Sequence, residues 1–266
     1  MACEQTLYAI REVSEITGVK PVTLRAWQRR YNLVQPQRTA KGHRLYTDAD
    51  IQTIRQIQSW LLKGVSIGKV SQLLQGSGGD IAESPELHTE LEECETLLSA
   101  LAQLNRGKAE SVLATVMKEY PLNHVERQFL LPVVDALDKV KGPLRSLQKG
   151  LFHSIMLSKL SSILESENKA AHKGKCLVVS FDPTGSLLAW LWAVTWAEQG
   201  YNVTFLDGVE DMTGLVDNDA LAAYNALALF SHRGLAESQM QAQQRLAMQF
   251  GDHLFLSDVL QSLVNT

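Results

Sequence analysis

Three cysteines in 266 residues, Cys3, Cys94 and Cys176, are too few and too scattered for a disulfide framework or a metal-ligand cluster. Such sparing use fits a reducing compartment. Long apolar runs are missing too. The greasiest stretch, 187–197, falls well short of the roughly 20 residues that span a bilayer, and it reads as a buried helix. Glu4 and Arg11 interrupt the start of the chain, so no signal peptide is expected. The expected location is the cytoplasm, with no membrane partner. The most telling absence is of one charge: between Ile16 and Thr47 there is no Asp or Glu, against seven Lys or Arg.

That gap organises the rest of the chain. Residues 1–77 hold 11 basic and 5 acidic side chains, a formal +6, while the remainder holds 14 and 24, a formal −10, which together give the net −4. Such a distribution describes a polyanion-binding head on an acidic body, and points to double-stranded DNA. An apolar fraction of 45% and a charged fraction of 20% exclude wholesale disorder. The length suits two domains, or three small ones.

Within the head, Ile10, Val13 and Ile16 share one helical face, and Gly18 breaks that helix. Pro21 stands where a second helix begins, a position at which its missing N–H costs nothing. Leu24 and Trp27 follow at i, i+3, with Thr23, Arg25, Gln28 and Arg29 directed elsewhere. Two short helices joined by a Gly-containing turn form a DNA-reading device whose second helix fits the major groove. Residues 36–46 read as a hairpin with a basic tip, a wing. Thr47, with Asp50 three residues on, caps a further helix carrying Ile51, Ile54, Ile57 and Leu61 as a stripe.

Residues 8–74 resemble the winged helix-turn-helix of the MerR family of transcriptional regulators. The likeness rests on the order Leu24-Arg25-Ala26-Trp27-Gln28-Arg29-Arg30-Tyr31, then Pro36 to Gly42-His43-Arg44-Leu45-Tyr46, then Gly64-Val65-Ser66. Within that family the sequence is most similar to the branch of MlrA-type curli and biofilm regulators and CarH-type cobalamin-dependent, light-responsive repressors. The resemblance implies sequence-specific binding to promoter DNA, a homodimer, and RNA polymerase as a further partner. It also implies a DNA-facing set. Arg25 and Arg30 would hold phosphates, and Lys20, Val22 and Thr23 would lie near base edges. Arg29, Arg38, Lys41, His43, Arg44 and Tyr46 would complete the basic surface. Trp27 is either core or packed on a sugar-phosphate edge.

Gly76-Ser77-Gly78-Gly79-Asp80 marks a domain boundary. The reading divides the chain into a head (1–77), a linker that lets it reorient (78–84), a helical bundle (85–172) and an α/β domain (173–266). Bundle helices are expected through Leu87–Leu104 and over 108–119, 122–141 and 144–166. Beyond Lys175 the pattern alternates. Strands at 176–181, 201–206, 225–230 and 253–256, with helices at 186–199 and 239–250 and a last one at the end, predict a parallel sheet in a flavodoxin-like order. The fold class is therefore α+β and multi-domain.

By resemblance, such a bundle and α/β domain would enclose cobalamin, capped by a Trp and a Glu-His pair and ligated from below by the His of D/E-x-H-x-x-G. Here Val140 or Lys141 replaces the Trp, Phe152 replaces the Glu, and His153 alone is kept. The loop reads Asp182-Pro183-Thr184-Gly185, with Thr184 or Gly185 at the ligand position; neither offers an imidazole. The expectation is a degenerate domain with no cofactor and no metal, retained for dimerisation or signal reception. The rivals are a cobalamin-dependent photoreceptor repressor and a cobalamin-carrying enzyme subunit. Asp182, Asp207, Glu210 and Asp211 cluster near strand ends, but no base, nucleophile or metal set accompanies them, so no enzyme is expected. A small ligand such as a cyclic dinucleotide needs no short motif and stays open.

Overall fold

The computed structural model describes residues 6–74 and 90–264; the linker expected at 78–84, and Leu87, lie outside the described residues. The chain forms two compact units, 1–152 and 153–266.

The first unit opens with β1 (Tyr8–Ala9), α1 (Ile10–Thr17) and α2 (Pro21–Tyr31). Gly18 ends α1 in the left-handed region at φ 70, donating its N–H to the Ser14 carbonyl. Of the expected α1 stripe only Val13 is buried; Ile16 is 43% exposed, with none of the described elements covering the end of that face. Pro21 occupies the first turn of α2, and Leu24 and Trp27 are buried on its inner side. The wing is β2 (Gln37–Arg38) and β3 (Arg44–Tyr46), with β3 central between β1 and β2 in an antiparallel sheet. Thr47 caps α3 (Asp48–Leu62) by accepting from the Asp50 N–H while Asp50 returns a bond to the Thr47 N–H. Ile51, Ile54, Ile57 and Leu61 form its buried stripe. Then comes α4 (Ile67–Leu74).

Four helical stretches complete this part of the chain. They are α5 (Glu93–Ala102), α6 (Arg106–Glu119), a composite of α7 (Leu122–Val125), a π-turn (Glu126–Leu130) and α8 (Leu131–Lys139), and the long α9 (Leu144–Lys169). Asn105 caps α6 through the Lys108 N–H. The division between units falls within α9.

In the second unit, β4 (Lys175–Ser180), β5 (Asn202–Leu206), β6 (Ala226–Phe230) and β7 (Leu254–Leu256) form one parallel sheet in the order β5-β4-β6-β7. All of β6 and most of β4 are buried, as expected of a central strand covered on both faces. α10 (Leu187–Glu198) brings Trp192 and Trp196 against Phe230 and Phe255 on one face. On the other, Leu177, Val179, Leu227 and Leu229 pack with Leu246 of α11 (Glu237–Phe250) and Leu260 of α12 (Asp258–Val264). Met212 and Leu215, on a 3₁₀ turn between β5 and β6, join that cluster.

Candidate nucleic-acid interface

Arg25 and Arg29 stand exposed along α2, and Arg38, Lys41 and His43 along the wing. Arg44 joins the two elements, its Nε donating to Gln28 Oε1 at 2.7 Å. Burial and then the neighbouring Arg38, followed by Arg25 and Arg29, hold the Arg44 guanidinium below its ordinary pKa. Part of that shift comes from three other guanidinium groups close to Arg44. Arg29, Arg38 and Arg44 line a polar cleft of about 260 Å³ with the amides Gln28, Asn32 and Gln35. Among the described residues no carboxylate pairs with Arg25, Arg29, Arg38 or Arg44. Guanidinium groups only donate, so such a cleft is suited to phosphate oxygens or base acceptors. Val22 is exposed and Lys20 half-buried at the start of the same helix.

Four residues of the expected set sit differently. Trp27 is fully buried and its Nε1 donates to the Glu119 carbonyl at 2.8 Å, so it packs against the bundle, away from any sugar-phosphate edge. Thr23, 2% exposed, and Tyr46, 0% exposed, lie in the core of the head, where neither side chain can meet a groove. Arg30, with its side chain 48% exposed, is ion-paired with the fully buried Glu119 carboxylate and is not a free guanidinium. Tyr31 Oη donates to the same carboxylate at 2.6 Å. Glu119 was missed because its partners lie about 90 residues away in sequence. The available signal was the i, i+3, i+7 stripe of Leu24, Trp27 and Tyr31, which marks one side of α2 as covered.

Three of the four carboxylates near the sheet ends, Asp182, Asp207 and Asp211, accept hydrogen bonds, although Asp207 Oδ1 has no partner among the described residues. Asp182, 1% exposed, accepts from Ser186 Oγ at 3.0 Å and the His232 N–H at 3.0 Å, and lies 2.6 Å from His232 Nδ1. Asp207 accepts from the Gly185 N–H and Trp190 Nε1. Asp211 caps the 3₁₀ turn at Thr213, and the Glu210 carbonyl accepts from Gln239. Among the described residues, no group of three His, Cys, Asp or Glu could hold a metal ion.

The cobalamin fit turns on His153. Its Nε2 lies 2.7 Å from the Gly185 carbonyl, in the loop where the lower ligand would stand. A corrin between them needs two van der Waals separations of about 3.5–4.0 Å each. This direct contact leaves no such gap, and the residues present do not fit the group. Phe152 is buried at 3% exposure.

Residues 8–77 match the family described as MerR HTH family regulatory protein. The chain is 32% identical over 200 residues to the HTH-type transcriptional regulator MlrA of Escherichia coli (strain K12), spanning 75% of this chain and 79% of that protein. The regulator of the same name from Salmonella typhimurium (strain LT2) is 34% identical over the same shares. The HTH-type transcriptional repressor CarH of Myxococcus xanthus is 27% identical over 177 residues, 62% of this chain and 59% of that protein.

Proposed function

Since the chain belongs to the MerR family and is a DNA-binding transcriptional regulator of MerR type, we propose that it binds promoter DNA as a cytoplasmic homodimer and does so without cobalamin. The observation that carries the DNA surface is the arginine cluster between α2 and the wing, with Arg25, Arg29, Arg38 and Arg44 unpaired by any described carboxylate. Lys20 and Val22 at the start of α2, and Lys41 and His43 on the wing, extend it. A symmetric pair of heads reading two half-sites suits this architecture, and RNA polymerase is the partner through which a promoter-bound MerR-type regulator would act.

Cobalamin independence is supported by the contact of His153 with the Gly185 carbonyl and by the absence of an imidazole at 184 or 185. Equilibrium dialysis against adenosylcobalamin, followed by visible absorption, tests it. The expected outcome is no retained corrin band and the same operator affinity in light and dark. Stoichiometric uptake would promote the photoreceptor reading.

A further inference from the structure

We propose that Glu119 is a positioning residue for DNA binding: it keys the DNA-reading helix α2 to the helical bundle, so that head and bundle meet DNA as one body. The inference rests on α2 and the wing being the DNA surface.

Three donors from the last turn and a half of α2 converge on this one residue. Arg30 and Tyr31 take its two carboxylate oxygens, and Trp27 takes its backbone carbonyl. The carboxylate is fully buried, and Trp27 is fully buried beside it. Losing either donor while the carboxylate stays buried would leave its charge under-paired, which is far costlier than breaking an exposed ion pair. The docking is also oriented, because bonds form at two further places. Gln128 Nε2 donates to the Leu61 carbonyl at the end of α3 at 2.9 Å. The Ile67 N–H at the start of α4 donates to Tyr120 Oη at 3.5 Å, and Tyr120 Oη donates in turn to Glu93 at 3.2 Å. Contacts at α2, α3 and α4 together fix rotation as well as distance.

The same helix carries Arg25 and Arg29 outward, so fixing α2 on the bundle fixes where those guanidiniums point. A head held this way spends no orientational freedom on binding that the bundle has not already removed. Arg30 then belongs to the key, and the phosphate contacts fall to the other arginines. These roles separate in the salt dependence of binding, where each lost phosphate contact reduces the slope of log K against log[salt] by about 0.9.

The test uses the full chain with Cys3→Ser and spin labels at Gln52→Cys on α3 and Ala114→Cys on α6, both exposed positions. The pulsed distance distribution is recorded with and without Glu119→Ala, and operator affinity is titrated at four salt concentrations. The expected result is a single narrow distance for the native residue and a broadened one for Glu119→Ala. Affinity is expected to fall at least threefold with the salt slope unchanged. Arg29→Ala, run alongside, is expected to lower the slope by about 0.9, so a failure of the DNA surface registers in a different quantity. Equal narrow distributions in both proteins would overturn the proposal. So would affinity unchanged or raised in Glu119→Ala, and a steeper slope would show Arg30 released onto phosphate. If circular dichroism shows Glu119→Ala unfolded, Tyr31→Phe carries the same comparison by removing one hydrogen bond, with the same direction of change expected.

Discussion

Arg44 answers two demands at once. Its Nε is tied to Gln28 on α2, while burial, and after it the three neighbouring arginines, hold its pKa down. Removing it relieves repulsion within the head but takes a donor from the proposed DNA surface. Arg44→Ala is therefore expected to leave the fold intact by circular dichroism and to weaken operator binding by about 1–3 kcal/mol at fixed salt. Unchanged anisotropy isotherms would remove the wing from the mechanism. His124 makes a different prediction. Its ring is 4% exposed, and its Nε2 has no hydrogen-bond partner among the described residues. Burial, then Arg127, holds its pKa below the ordinary value. The folded state thus keeps the imidazole neutral where the unfolded chain takes up a proton. Stability from this group is complete above about pH 6.5 and is lost as pH falls through the depressed folded pKa. Urea midpoints at pH 7.5 and 5.5 should show a larger drop for the native chain than for His124→Gln. Equal drops would assign the pH response elsewhere.

At the scale of elements, legibility followed from how much of a signal was local. The Thr47–Asp50 box and the Ile51, Ile54, Ile57, Leu61 stripe are written within fifteen residues, and α3 appears where they place it. Thr47→Ala should cost about 0.5–2 kcal/mol of stability, read as a lowered denaturation midpoint; no change would mean that Asp50 alone holds the helix start. The strands β4 and β6 were legible because both are nearly continuous apolar runs. The 3₁₀ turns at Met212–Leu215 and Asp219–Ala223 were not, since each is a single turn closed by Asp211 or Asn218 and has no period to detect. The π-turn at Glu126–Leu130 also escaped, because one extra residue scarcely disturbs a helical pattern on either side. The positions of the residues in the proposed DNA surface were half-legible. A missing charge sign marks a surface well, but it cannot tell Arg29, which faces out, from Arg30, whose partner sits on another helix.

At the scale of the whole molecule, residues 1–77 alone should bind the operator far more weakly than the full chain. In the proposed homodimer, losing the paired arrangement would remove an avidity of about 10²–10⁴-fold, and losing α6 uncovers Trp27 and Tyr31. Fusion of the isolated head to an unrelated dimeriser should recover only part of the deficit. Equal affinity of the free head and the intact chain, compared by titration on one operator, would contradict both arguments. The contact between His153 and Gly185 bears on how such a chain changes over generations. A histidine substituted at residue 185 would carry its Cβ 2.9 Å from His153 Cε1, on a backbone at φ +85 that side chains resist. An imidazole at this position therefore asks two things of the chain at once, a shift of the His153 ring and a strained backbone at residue 185.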